Sequence, residues 1–482
     1  MGDNLKQKTV TGVMWSAAER FSALFIQAIV GLVIAHYVAP EEFGLMGIIL
    51  IFIAICQVVV DSGFCTALIQ KKQVHDLDYS SVFYINLTIS LLLYALAFAC
   101  APLLGEIYDL PRLGEVARVT FLILPLSALS LVQNVKLQRE LHFNKLSLIG
   151  IVSTLVSAAI GLYLALIWQN VWALVFQNLT YHTTKMALLW IYGHWHPLRK
   201  FSRASVESVL PLAMSMLGSS MIGSICDNIY GLIIGKMNVR ELGLYTQADK
   251  LRKIPSSSIT EIVSKVAFPA MSKIQDDDNR LREAYSRIIQ ITFYVLAPIM
   301  IYLAVESRDI FTLLLPPKWS GCILYFSLLC IVGLFYPLHN INLNIIIVKK
   351  RGKLYLNLEI ARKTTLLLIL IISAHYGVIG IIIGQMVYNV IVLFLNMHFS
   401  GSLIGYSVGR QLSDLMPVVL CAALIIPISW WVQSMGMWEL YSLLAAGALS
   451  AIAYLGASAL LHLRPYQELS LIINHLIHGN KS

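Results

Sequence analysis

Apolar runs of about twenty residues or more recur along the whole chain, parted by short polar or Pro/Gly breaks. They fall at 10–38, 43–69, 78–104, 116–136, 146–168, 171–193, 206–235, 281–305, 321–348, 354–375, 377–399, 412–433 and 440–462. Each is as long as a helix must be to cross a bilayer, and so many in 482 residues leave no stretch from which to build a soluble core. Composition agrees: 58% hydrophobic, 13% charged and a mean hydropathy of +0.74 exceed what a soluble domain can bury. The expectation is an all-α integral membrane protein.

A fourteenth span is hidden by its polarity. Residues 241–273, "ELGLYTQADKLRKIPSSSITEIVSKVAFPAMSK", hold Asp249, Lys250, Arg252, Lys253, Glu261 and Lys265. If this segment crosses and the N-terminus is inside, 21 of the 35 Lys and Arg lie at the inner face and six outside; if it does not, the counts become 12 and 15. The positive-inside rule selects fourteen helices with both termini cytoplasmic. A helix this polar cannot face lipid, where its charges would find neither water nor partners, so it is expected to line a hydrated cavity. Pro255 followed by Ser256, Ser257 and Ser258 predicts a kink whose freed carbonyls are served by hydroxyls.

Several function classes drop out. A net charge of +9 would suggest nucleic acid in a soluble domain, but here the basic residues sit in gaps between apolar runs, where they set orientation. No nucleic-acid partner is expected. The seven cysteines lie within or at the ends of apolar runs, without CxxC or His/Cys spacing, and His194 and His196 merely flank one tryptophan. No metal or other cofactor is expected. The first segment carries charges and lacks a small-x-small cleavage site, so it reads as a retained helix. Asn86-Leu-Thr88 and Asn178-Leu-Thr180 fall inside spans and are chance glycosylation matches. Asp276, Asp277 and Asp278 read as a solvated inner loop with one aspartate capping the next helix. There is no Ser/His/Asp set, P-loop or catalytic carboxylate pair, and the short loops leave no room for an extramembrane domain, so the chain is not expected to be an enzyme. Residues 465–478 gather Leu469, Ile472, Ile473, Leu476 and Ile477 on one face, as an interfacial helix would.

An internal repeat suggests two lobes. Glu42-Phe43-Gly44-Leu45 follows the first span and Glu241-Leu242-Gly243-Leu244 the seventh, at an offset of 199. The simplest arrangement is a six-helix lobe at 1–193, a cytoplasmic linker at 194–205, a second six-helix lobe at 206–400, and 401–482 holding helices 13 and 14 with the interfacial segment.

Polar residues mark where a cavity would lie. Glu19 and Arg20 sit inside the first span, although each costs roughly 2.5–3.5 kcal/mol at a helix centre. Ser16, Glu19, Arg20, Ala23 and Gln27 share one arc of that helix. Gln57 with Asp61, then Asn178, Tyr181, His182 and Lys185, then Ser220, Ser224, Asp227 and Asn228, then Asp249, Arg252, Lys253 and Ser256 form comparable stripes. Arg20 and Asp61 stand at similar depth and either lock two helices or serve a ligand, while Glu359 and Lys363 suit an i,i+4 pair. Lys250, Arg252 and Lys253 outnumber Asp249, an excess that suits an anionic substrate such as a phosphate.

The stretches "APEEFGLMGIILIF", "DSGFCTALIQKK", "LQRELHFNKLS", "LGLYTQADKLRKIP" and "VAFPAMSKIQDDDNRLREAYSRI" together resemble the Wzx-type polysaccharide flippases of the multidrug/oligosaccharidyl-lipid/polysaccharide exporter superfamily, near the colanic acid exporter branch. The resemblance covers residues 8 to 400. It implies a bacterial inner-membrane protein with a MATE-like fold that moves undecaprenyl-pyrophosphate-linked oligosaccharide units to the outer leaflet by alternating access. It also implies membrane lipids, a polysaccharide polymerase and chain-length machinery as partners. Family members have cationic cavities, which Arg20, Lys185, Lys250, Arg252 and Lys253 would supply as substrate-binding residues, with Glu19, Asp61, Asp227 and Asp249 as coupling or gating groups. A lipid-linked sugar also needs an apolar groove for its tail, and the last two spans, almost free of ionisable residues, are placed to flank one. The alternative is a drug/cation antiporter of the same superfamily, which would need a cavity dominated by carboxylates or aromatics. A glycosyltransferase or polymerase would need a large outer loop, and a scaffold would not retain so many buried charges.

Overall fold

The computed structural model describes residues 2–478 apart from Ser62 and Lys72. Among the described residues every regular element is helical. Two compact units divide the chain, Met1–Thr246 and Gln247–Ser482.

The first unit holds α1 (Gly2–Tyr37), α2 (Pro40–Asp61), α3 (Phe64–Gln70), α4 (Asp76–Ile107), α5 (Pro111–Thr120), α6 (Ile123–Arg139), α7 (Phe143–Trp168), α8 (Val171–Gly193), α9 (Arg203–Met237) and the start of α10 (Val239–Lys273). Local chemistry sets the breaks. Pro40 opens α2 with Glu41 and Glu42 in its first turn, facing the positive end of the helix dipole. Gln169 turns left-handed to end α7, and the Asn170 side chain accepts from Trp172 N at 3.0 Å to start α8. Gly63 takes φ +66° between α2 and α3, and a Cβ there would also press to 3.0 Å from the Ala213 backbone.

The expected linker at 194–205 is anchored in this unit. Trp195 is buried with Tyr79 and Phe83, and Gln133 Nε2 donates to its carbonyl at 2.7 Å. Leu198 N and Ser202 N donate to Ser80 Oγ and Ser81 Oγ, each at 2.9 Å. Residues 203–246 remain with this unit because α9 and the first turns of α10 pack against α2, so the compact boundary falls beyond the linker.

The second unit continues α10 and adds α11 (Asp278–Val305), α12 (Ser307–Leu314), α13 (Cys322–Val348), α14 (Gly352–Ala374), α15 (Gly377–Ile404), α16 (Val408–Ala423), α17 (Ile425–Ser434), α18 (Glu439–Leu460) and α19 (Arg464–His478). Its core joins Tyr285, Ile289 and Phe293 of α11 to Ile341 and Ile345 of α13 and Met397 of α15. A polar chain runs through it. Tyr285 Oη donates to Asn342 Oδ1 at 2.7 Å and lies 3.2 Å from Gln411 Oε1, and Ser400 Oγ donates to the same asparagine oxygen at 2.5 Å. Every partner is buried, so these bonds satisfy groups that would otherwise cost free energy in the core. Asp277 caps α11, its Oδ1 accepting from Asn279 N and Arg280 N at 3.1 Å, as the triple-aspartate reading required.

Among the described residues, eleven helical stretches are long and apolar enough to cross a bilayer. The three other expected positions carry α8, α10 and α14, helices of 23, 35 and 23 residues whose polar groups set them apart. At 1.5 Å per residue the 23-residue helices still span about 34 Å. α10 runs unbroken through Pro255, and Ser256 and Ser257 donate to the carbonyls of Arg252 and Lys253 at 3.2 and 2.6 Å. α19 forms at the expected interfacial segment, where Arg287 Nε meets Glu468 Oε2 at 2.6 Å and Leu469 packs on the core. The side chains of Ile472, Ile473, Leu476 and Ile477 lie outside the described residues.

Candidate functional site

In the first unit, the charge inside α1 has a structural host. A Cβ at Gly150 of α7 would stand 2.1 Å from Glu19 Oε1, so the glycine leaves the space the carboxylate fills. Lys185 of α8 acts electrostatically on both Glu19 and Asp61. Asp61 also accepts from Gln57 Nε2 at 3.4 Å. Around this lysine stand the Tyr181 ring, 5.8 Å from Nζ to centroid, and His182, whose Nδ1 is 3.3 Å from Ser127 Oγ. The Lys185 charge on α8 thus bears on a carboxylate of α1 and one of α2. Arg20 is exposed on α1, and Asp227 is exposed on α9.

In the second unit, α10 gathers Asp249, Arg252 and Lys253. Arg252 Nη2 and Lys253 Nζ both bond Asp249, the lysine at 2.6 Å, and Arg252 Nε reaches the same carboxylate at 3.1 Å. The two cations differ in surroundings. The Arg252 side chain is 10% exposed, its stem lying against Gly333 of α13, where a Cβ would come within 2.9 Å of Cδ; Lys253 is 61% exposed. Arg252 thus bonds Asp249 through both Nη2 and Nε. Lys250 is exposed on the same helix. On α14, Glu359 bonds Arg362.

Sequence reasoning missed three features. Gly44 and Gly243 were read as markers of a repeat, yet they touch. A Cβ on Gly44 would lie 1.8 Å from the Val239 carbonyl oxygen, and one on Gly243 would lie 1.9 Å from that of Pro40. The shared offset of 199 was the signal. Second, His339 of α13 lies between two amides of α15, with Nε2 3.0 Å from Asn389 Oδ1 and Nδ1 3.2 Å from Asn396 Nδ2. Third, fully buried Glu306 accepts from Gln433 Nε2 at 2.9 Å. Neither of the last two had a pattern to reveal it.

Many helices long and apolar enough to cross a bilayer, with charged groups held inside several of them, define a multi-pass membrane protein. The fold agrees with solved structures. It matches lipid II flippase MurJ in an inward closed conformation at TM-score 0.75 and 15% identity, over 95% of this chain and 99% of that one. An inward-facing MATE multidrug resistance transporter of the MOP superfamily matches at 0.59 and 17% identity, over 80% and 98%. Residues 33–324 match the family described as polysaccharide biosynthesis protein, and the chain belongs to that family. Lipopolysaccharide biosynthesis protein WzxC of Escherichia coli K12 is 23% identical over 392 residues, 80% of each chain. Teichuronic acid biosynthesis protein TuaB of Bacillus subtilis 168 is 25% identical over 354 residues, 73% of each.

Proposed function

We propose that this protein moves undecaprenyl-pyrophosphate-linked oligosaccharide units across the bacterial inner membrane, from the cytoplasmic to the outer leaflet, by alternating access and with both termini cytoplasmic. The observation that carries this reading is the Lys185 charge bearing on Glu19 and Asp61 inside helices that otherwise suit lipid. An intramembrane polar patch is costly and has a use where a polar head must pass the bilayer. Lys185, Arg20, Lys250 and Lys253 supply cations for a pyrophosphate; Glu19, Asp61 and Asp227 serve coupling or gating, and Asp249 with Arg252 sets the shape of α10. The lobes at 1–193 and 206–400 are the moving parts. An apolar groove of about 620 Å³ between α16 and the end of α18, lined by Leu412, Met416, Pro417, Leu420, Leu461 and Leu463, suits the prenyl tail. Family membership supports the saccharide cargo, and the name of lipid II flippase MurJ supports a lipid-linked one. Units delivered outside would pass to a polymerase and its chain-length machinery.

The test is genetic replacement. Expressed in strains that each lack one flippase, the protein is expected to restore one surface polysaccharide. Membrane-inserted protein that restores none, and that moves no lipid-linked oligosaccharide in reconstituted vesicles, would overturn the proposal.

A further inference from the structure

Glu306 sits at the elbow between α11 and α12 and is fully buried. One face of α17 is turned to it. Gln433 Nε2 donates to its Oε2 at 2.9 Å, and Ser429, one helical turn earlier on the same face, is near enough to act on the carboxyl. Yet Glu306 Oε1 and Ser429 Oγ, both buried, have no partner of hydrogen-bonding geometry. The charge that acts on Glu306 is another carboxylate, Asp309 of α12, and among the described residues no cation pairs with it. Tyr302 of α11 is a titratable neighbour, its Oη donating to the Leu443 carbonyl of α18 at 2.8 Å; Arg308 is exposed, and Glu439 opens α18. A bare carboxylate in such a place is costly, and an idle oxygen beside an idle hydroxyl shows where a proton fits. Burial accordingly raises the Glu306 carboxyl, and Asp309 adds to the rise against Gln433 and Ser429. Water is close by: Trp430, Trp431, Trp438 and Tyr441, each more than half exposed, surround the turn from α17 to α18, as side chains at a membrane–water boundary do.

We infer that Glu306 is a proton-binding site that clasps α17 to the α11–α12 elbow. The protonated carboxyl accepts from Gln433 at Oε2 and donates from Oε1 to Ser429 Oγ. Released to water, the proton leaves a buried anion beside Asp309, and α17 must part from the elbow to hydrate it. α16 and α17 follow each other in one span, and α16 lines the apolar groove, so the clasp steadies a wall of that groove. That the proton exchanges with the outer side rests on the orientation proposed above; the clasp itself does not.

Glu306→Gln is the reference, because its amide oxygen accepts from Gln433 and its amide nitrogen donates to Ser429 at every pH. Val432→Cys, made the single cysteine, reports on α17 from a position that is 1% exposed. In purified full-length protein its maleimide rate is expected to rise from about pH 5 to about pH 9 at least about fivefold more than in the same protein carrying Glu306→Gln, and a smaller excess overturns the clasp. The reference cancels the pH dependence of the thiol itself. Ser429→Ala is expected to react fast already at about pH 5, and a slow rate there refutes the assigned proton acceptor. If the single-cysteine protein does not fold, amide hydrogen exchange over residues 425–434 of the otherwise unaltered chain, with and without Glu306→Gln, makes the same comparison. Faster exchange in the parent at high pH is expected, and equal protection refutes the clasp. None of these measurements uses cargo or an assigned side of the membrane, so failure of the clasp is distinguishable from failure of the flippase reading.

Discussion

Arg252→Glu and Lys253→Glu are adjacent charge reversals with sharply different expected results. Arg252 and Asp249 form a buried pair, 10% and 13% exposed at their side chains, whereas Lys253 is 61% exposed. Breaking a buried pair from one side costs about 3–5 kcal/mol because the remaining charge is left in low dielectric. That is roughly a 150- to 5,000-fold fall in the folded-to-unfolded ratio. At about 2–4 °C per kcal/mol, Arg252→Glu should melt about 6–20 °C lower than the parent, with reduced membrane abundance. Lys253 is the exposed partner of a carboxylate that keeps its Arg252 bonds, so Lys253→Glu should lose less abundance and melting than Arg252→Glu while weakening export through charge repulsion. The combined change Asp249→Leu with Arg252→Met removes both buried charges and should recover most of the loss, a coupling of about 2 kcal/mol or more. Thermal melting of detergent-purified protein, alongside membrane abundance, measures all of this. The reasoning fails if Arg252→Met melts within about 2 °C of the parent yet abolishes export, for then the guanidinium is a ligand of the cargo.

Other outcomes follow from the same structure. A single cysteine at Gly352, where an added Cβ meets nothing within 4 Å, should label only from the cytoplasm and one at Pro316 only from outside; the reverse pattern would invert the assigned topology. Gly150→Ala forces Glu19 from its place and should cost about 1–3 kcal/mol in melting, most of it regained when Glu19→Ala is added. Burial raises the Glu306 carboxyl above its usual 4.5, and the neighbouring Asp309 charge adds to that against the opposing Gln433 amide. The folded state then binds the extra proton, so its contribution to stability is lost as pH rises from 4.5 through the folded value. Glu306→Gln should flatten that part of the melting-pH curve, and an unaltered slope would show that Glu306 does not cause it.

The helices were legible because each needed only local information: about twenty apolar residues and a break. The Asp277 cap and the Pro255 hydroxyls followed from neighbours a few residues apart. The polar stripes on α1, α2 and α8 were likewise visible, since side chains three and four apart share a helix face.

Which stripe residue meets which was a matter for tertiary structure. Periodicity fixes a direction around one helix but carries nothing about the rotation of its neighbour. Packing of α8 made the Lys185 charge act on both Glu19 and Asp61, which no single helix face foretold. Counting charges on α10 showed a cationic excess, but only α13, with Gly333 opposite the arginine stem, buried Arg252 and left Lys253 outside. The repeat of Glu-x-Gly-Leu was visible in sequence; that Gly44 and Gly243 would each press on the other's helix depended on helices 199 residues apart being packed in contact.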